Sequence, residues 1–226
     1  DKSGEGNDAG NGNAPTILGS ALGGKNVVKF NGANQYLRVS NPDRFNFTDK
    51  MTLFIVAKGN LDQWRPIISK YGEGSLGWQF RHNDRDDLAT FTVRGTTGSD
   101  GPVGAASING VNRIWSARYN GVRRTQWADG TEEYNINDTG NIPSSSFDVV
   151  IAARASPTIG TSAGCEIAEI LVFGTALSDE EVAMVEGSLA HKLGMEGSLP
   201  PSHPYKAEEP LFENRPSLSG ELAAHA

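Results

Sequence analysis

The chain has one cysteine, Cys165, among 226 residues. A single thiol excludes an intrachain disulfide and any zinc site built from several cysteines. Its neighbours in Glu166–Phe173 are mostly apolar, so it is expected to pack as a small buried hydrophobe. No apolar run approaches the roughly 18–20 residues that span a bilayer, so no membrane insertion is expected. Contiguous basic stripes are missing too. Only Arg123-Arg124 adjoin, and the net charge is −7. A nucleic-acid partner is therefore not expected. The first residues, Asp1-Lys2-Ser3-Gly4-Glu5-Gly6, do not form a signal peptide, although a trimmed or mature chain would look the same. There is no Gly-x-Ser-x-Gly, phosphate loop, His-Glu-x-x-His or dinucleotide fingerprint. His82, His191 and His203 stand outside any recognisable catalytic pattern, and structural roles are expected for His191 and His203.

What the sequence does have is turns. Its 27 glycines fall largely between short segments of strand character. Strands are expected at Val27–Asn31, Tyr36–Val39, Met51–Lys58, Pro66–Lys70, Gly77–His82, Leu88–Arg94, Ile114–Tyr119, Arg124–Ala128, Val149–Ala153 and Glu166–Phe173. Asn31-Gly32, Asn109-Gly110, Asn120-Gly121 and Asp129-Gly130 suit the positive φ angles of tight turns. About ten strands with no intervening helix predict an all-β fold, an antiparallel β-sandwich. One C-terminal helix is expected over 179–193. Ser178 and Glu181 have the spacing of a capping box, Val182, Val185, Leu189 and Leu193 mark an apolar face, and Gly194 supplies the stop. This helix should rest on the edge or back of the sandwich. Residues 1–24 read as an irregular lead-in, 25–206 as the domain, and 207–226 as a tail or linker.

Several blocks, in order, resemble a laminin-G-like domain of the concanavalin A-like jelly-roll type. Phe30-Asn31-Gly32-Ala33-Asn34-Gln35-Tyr36-Leu37 is similar to its early strand pair, and Met51–Ala57 to the strand that follows. Ala117–Gly121 with Gln126–Gly130 is similar to its aromatic hairpin, and Ile167–Glu181 to its closing strand and turn. The resemblance covers about residues 25–206. It implies a noncatalytic carbohydrate-binding or adhesion module of a larger exported protein, secreted or at the cell surface. Such domains generally have a strand ahead of the Phe30 block. Residues 1–24 offer no convincing one, so the chain is expected to start inside a longer protein.

The same jelly roll also hosts glycan-cleaving enzymes with paired carboxylates on one strand. The nearest match here is Glu166-Ile167-Ala168-Glu169. Side chains alternate along a regular strand, so glutamates three apart face opposite ways unless a bulge resets the register. Ala168 also stands where an aspartate would be needed, and no catalytic residue is assigned.

Alternation instead puts Trp78, Phe80, Phe91, Val93, Trp115, Ala117 and Tyr119 in the core. It leaves Gln79, Arg81, Thr90, Thr92, Arg94, Ser116 and Arg118 on an exposed face, which Trp127 joins if Gln126 and Ala128 point inward. Gln79, Arg81, Thr92, Arg94, Arg118 and Trp127 are accordingly the candidate ligand-binding residues. An aromatic ring can stack on a sugar while arginines donate to hydroxyls or acidic groups, which favours an acidic or sulfated glycan. No cofactor is assigned. Calcium is the one ion with a foothold, at Asn83-Asp84-Arg85-Asp86-Asp87, where a charged hairpin tip is the plainer reading. Two further readings stay open: a structural domain whose partners are other protein subunits in a surface layer, filament or particle, and a glycan-cleaving enzyme with an unrecognised site.

Overall fold

The computed structural model describes residues 8–40, 43–60, 64–72, 76–83, 87–93, 95–97, 102–155, 161–211 and 221–225. Two antiparallel sheets face each other, as the turn-rich pattern predicts. The smaller has six strands in the order β1-β4-β12-β6-β7-β8. These are β1 Ala9–Asn13, β4 Tyr36–Val39, β12 Val149–Ile151, β6 Pro66–Gly72, β7 Leu76–His82 and β8 Ala89–Val93. The larger has eight. Seven run β11-β10-β9-β5-β13-β3-β2, and the eighth, β14, pairs with β13. Their ranges are β2 Thr16–Leu22, β3 Lys25–Asn31, β5 Met51–Gly59, β9 Arg113–Tyr119, β10 Arg123–Ala128, β11 Thr131–Asn137, β13 Gly164–Phe173 and β14 Glu221–His225.

Between the sheets lies the core that alternation predicts. Trp78, Phe80, Phe91 and Val93 from one sheet meet Trp115, Ala117 and Tyr119 from the other, all at most 1% exposed. Burying each large apolar side chain contributes roughly 1.5–3 kcal/mol. A fully buried Arg124–Asp138 pair, 3.3 Å apart, closes one end of this layer.

The helix α1, Asp179–Leu193, has the expected capping box at Ser178 and a left-handed Gly194 at its C-cap. It lies on the back of the large sheet. Val182, Leu189, Ala190 and Leu193 share a second core with Phe54, Val56, Ile114, Trp127 and Leu171.

Three readings of the sequence need correction. Residues 1–24 are not wholly irregular, because β1 and β2 fall within 9–22. Thr131–Asn137 is a further strand, and so is Glu221–His225 in the supposed tail. β1, β2 and β11 all lie at sheet edges, where a strand buries few side chains and so shows little hydrophobic alternation. The third correction is register. β13 slips by one residue against β5 between Ile167 and Glu169. Cys165, Ile167, Ile170 and Val172 therefore all reach the inter-sheet core. Ala168 and Leu171 pack toward the helix, with Glu166 and Glu169 on that same outer side. The two glutamates do not face opposite ways.

Candidate binding cleft

The predicted binding face does not exist as one surface. Gln79 and Arg81 on β7 and Thr92 on β8 point outward from the small sheet, with Gln79 paired to Thr92 and Arg81 to Thr90. Arg118 on β9 and Trp127 on β10 point outward from the large sheet, on the opposite side of the molecule. The chain switches sheets between β8 and β9, so neighbouring strands in sequence are not neighbours in space. Both sets are also covered. Gln79 is 5% exposed, Arg81 2%, Thr92 0% and Trp127 9%. Trp64 lies over Arg81, 4.1 Å from guanidinium carbon to ring centroid. The helix and the chain beyond it cover the other set. Arg118 donates to the Leu177 carbonyl at 2.7 Å, pairs with Asp179 at 2.7 Å, and stacks on Trp127 at 5.1 Å. Ser116 donates to the buried carboxylate of Glu186 at 2.6 Å. Arg94 lies outside the described residues, as do Asp84 and Asp86 of the calcium candidate. Among the described residues, no group of three or more His, Cys, Asp or Glu side chains could hold a metal ion.

A cleft of about 430 Å³ opens instead at one end of the sandwich. Three strands and two loops build it. β3 brings Lys29 and Asn31, β5 brings Lys58 and leads into Asn60, the approach to β6 brings Arg65, and β13 with its lead-in brings Ser162 and Glu166. The register explains the juxtaposition. Glu166 is paired across β13 to Lys29 on one side and to Lys58 on the other. Its carboxylate lies 2.7 Å from the Lys58 ammonium and 3.5 Å from that of Lys29. The Lys58 hydrogen bond, helped by the charge of both lysines and opposed by partial burial, holds the Glu166 carboxyl below its ordinary range. Glu166 thus stays a carboxylate at neutral pH, the opposite of what a general acid requires. Glu169 is separately held by Lys192 at 2.5 Å.

The floor depends on close backbone approach. Asn60 donates its N–H to the Gly164 carbonyl at 2.8 Å. A Cβ on Gly164 would come within 2.8 Å of the Asn60 carbonyl oxygen. Asn31 shapes the neighbouring loop, its side-chain oxygen accepting from the N–H groups of Ala33, Asn34 and Gln35. Among the described residues, three cations against one carboxylate leave the lining with two net positive charges, on a chain that is negative overall. Sequence reading missed Lys29, Lys58 and Arg65, and weighed Glu166 only as a catalytic carboxylate. The available signal was that Lys58 is the single charge near the end of the otherwise apolar strand β5.

These features define the class: a two-sheet antiparallel β-sandwich with one helix on its back and a polar, cationic cleft at its rim. Solved structures share that fold. The binding domain of Paraclostridial Mosquitocidal Protein 1 matches 84% of this chain with 49% of its own, at a TM-score of 0.65 and 12% identity. The ligand-binding domain of botulinum neurotoxin serotype D, solved with N-acetylneuraminic acid, matches 80% of this chain with 46% of its own, at 0.56 and 12%. Domain 4 of AbnA, an extracellular GH43 arabinanase from Geobacillus stearothermophilus solved with arabinotriose, matches 76% with 80% of its own, at 0.54 and 11%. The chain thus spans about half the length of the two toxin domains. No protein-family model and no curated protein matches the sequence.

Proposed function

We propose that this domain is a noncatalytic carbohydrate-binding module of a longer, exported protein, acting outside the cell or at its surface. The observation that carries this reading is the rim cleft. It is large enough for one or two sugar rings and lined by amides, a hydroxyl and cations that hydrogen-bond to hydroxyls. Its two net positive charges favour an acidic glycan over a neutral one. The fold supports the reading by analogy, since two of the similar structures were solved with a sugar, and one fold serves many functions.

The test is calorimetric titration with neutral and acidic oligosaccharides against the parent domain, Lys58→Ala and Trp127→Ala. The parent is expected to bind, with acidic ligands tighter. Lys58→Ala should weaken acidic binding about tenfold, the scale of one charge-assisted hydrogen bond. Trp127→Ala should leave affinity unchanged, because that ring is under the helix. No binding to any glycan, together with self-association in solution, would overturn the proposal in favour of a structural interaction domain.

A further inference from the structure

The three cations of the cleft are not equivalent. Lys58 and Lys29 are both committed to Glu166, at 2.7 and 3.5 Å. Arg65 lines the same cleft, and among the described residues nothing is hydrogen-bonded or ion-paired to its guanidinium. Its backbone is nevertheless fixed. The Arg65 carbonyl accepts the His82 N–H at 2.9 Å, which ties it to the end of β7. The preceding residue, Trp64, has a left-handed φ of 62°, a conformation that costs a bulky side chain about 1–3 kcal/mol. The Trp64 ring is stacked on the buried Arg81 guanidinium, a contact that offsets such a cost. The chain is therefore held on both sides of a charged fork that has no partner among the described residues.

We infer that Arg65 is the specificity-determining residue of the cleft, and that it reads the carboxylate of an acidic sugar. A guanidinium presents two parallel N–H donors that match the two oxygens of a carboxylate. The Lys–Glu–Lys cluster beside it supplies hydroxyl contacts and a single net positive charge that steers the anion inward. Glu166 restrains that charge, so the cleft takes one carboxylate rather than a densely charged polyanion. Uronic acids and nonulosonic acids such as N-acetylneuraminic acid both offer this group. The inference rests on the carbohydrate-binding reading and names its ligand class.

The experiment uses the whole chain and five probes: an oligogalacturonate, a sialylated lactose, a carboxyl-reduced counterpart of each, and a sulfated oligosaccharide. Affinities are measured for the parent, Arg65→Ala, Arg65→Lys and Glu166→Gln, with thermal melts to verify folding. The parent should prefer a carboxylated probe to its reduced form by about tenfold or more. Which acidic probe shows that preference distinguishes a uronic from a nonulosonic sugar. Arg65→Ala should erase it, and Arg65→Lys should not restore it, since an ammonium lacks the fork. Glu166→Gln should keep the preference and improve binding of the sulfated probe. Glycan binding with an unchanged carboxylate preference in Arg65→Ala overturns the role of Arg65 and leaves the module intact. Equal binding of carboxylated and reduced probes by the parent does the same. No binding of any probe removes both readings.

Discussion

Single residues in this fold are decided by what the opposite sheet offers them. Tyr134 shows it. It stands on the edge strand β11, yet its hydroxyl is buried and meets the open edge of β8. The Phe91 N–H donates to it at 3.2 Å, and it lies 3.3 Å from the Phe91 carbonyl oxygen and 3.1 Å from Gln126 Oε1. Gln126 completes the seal by accepting from the same N–H at 2.9 Å and donating to the Ala89 carbonyl at 3.3 Å. Two side chains thus satisfy backbone groups that an unpaired edge would leave exposed to another chain. Burial pushes the Tyr134 phenol up to about 12. A folded-state value above the unfolded one means that its stabilising contribution is complete below pH ~10 and is lost as pH rises toward 12. Tyr119 is raised to about 12 for the same main reason, so the alkaline loss is shared. Lys70, lowered by burial to about 8, acts in the other direction between pH ~8 and ~10.5. Comparing Tyr134→Phe with the parent cancels the Lys70 and Tyr119 contributions. Urea unfolding from pH 9 to 12 should show a shallower loss of stability in Tyr134→Phe. Superimposable slopes would mean that this hydroxyl does not titrate with folding.

At the scale of elements, the helix decides which sheet face is available. Glu186 points down from α1 into the second core at 2% exposure, accepting from Ser116 on β9. Its other oxygen is 3.4 Å from His203 Nε2. The Tyr205 N–H donates to His203 Nδ1 at 3.3 Å, so Nε2 is the nitrogen that carries the proton toward Glu186. Sheet, helix and the segment that follows the helix are joined at one carboxylate. Glu186→Ala should lower stability by about 1–3 kcal/mol, because the Ser116 hydroxyl loses its partner in a dry layer. Urea denaturation measures that loss, and affinity at the distant rim cleft should not change. A stability within 0.5 kcal/mol of the parent, the usual range for surface changes, would deny the latch. The helix itself was legible in sequence, since its cap, apolar face and stop are local signals. So was the inward set of β7, β8 and β9, because alternation is a property of neighbouring residues. The cover was not. That Ser116, Arg118 and Trp127 lie under the helix depends on which sheet β9 joins. The bulge at Ala168 was equally hidden, because a one-residue slip is set by the pairing of β13 with β5. The cleft needs residues from 29 to 166 in register, and no local pattern carries that.

For the whole molecule, charge works against itself. The chain carries −7, while the cleft lining carries two net positive charges. A domain of this length has a radius of gyration of about 17 Å. At 0.01 M salt the screening length is about 30 Å, so an approaching anion feels the whole negative molecule. At 0.1 M it falls to about 10 Å, and the anion then feels mainly the cleft. Near 1 M it is about 3 Å, and even the contacts to Arg65 and the lysines are weakened. Affinity for a carboxylated oligosaccharide should therefore rise from 0.01 to 0.1 M salt and fall again toward 1 M. Its carboxyl-reduced counterpart should show a flat profile, which separates electrostatics from any salt effect on folding. Calorimetry or fluorescence titration across that range gives the curve. A steady fall from the lowest salt would show that the cleft governs the anion's approach at every distance, with the net charge playing no part. A flat curve for the acidic ligand would mean that its carboxylate stays in solvent and binds none of the three cations.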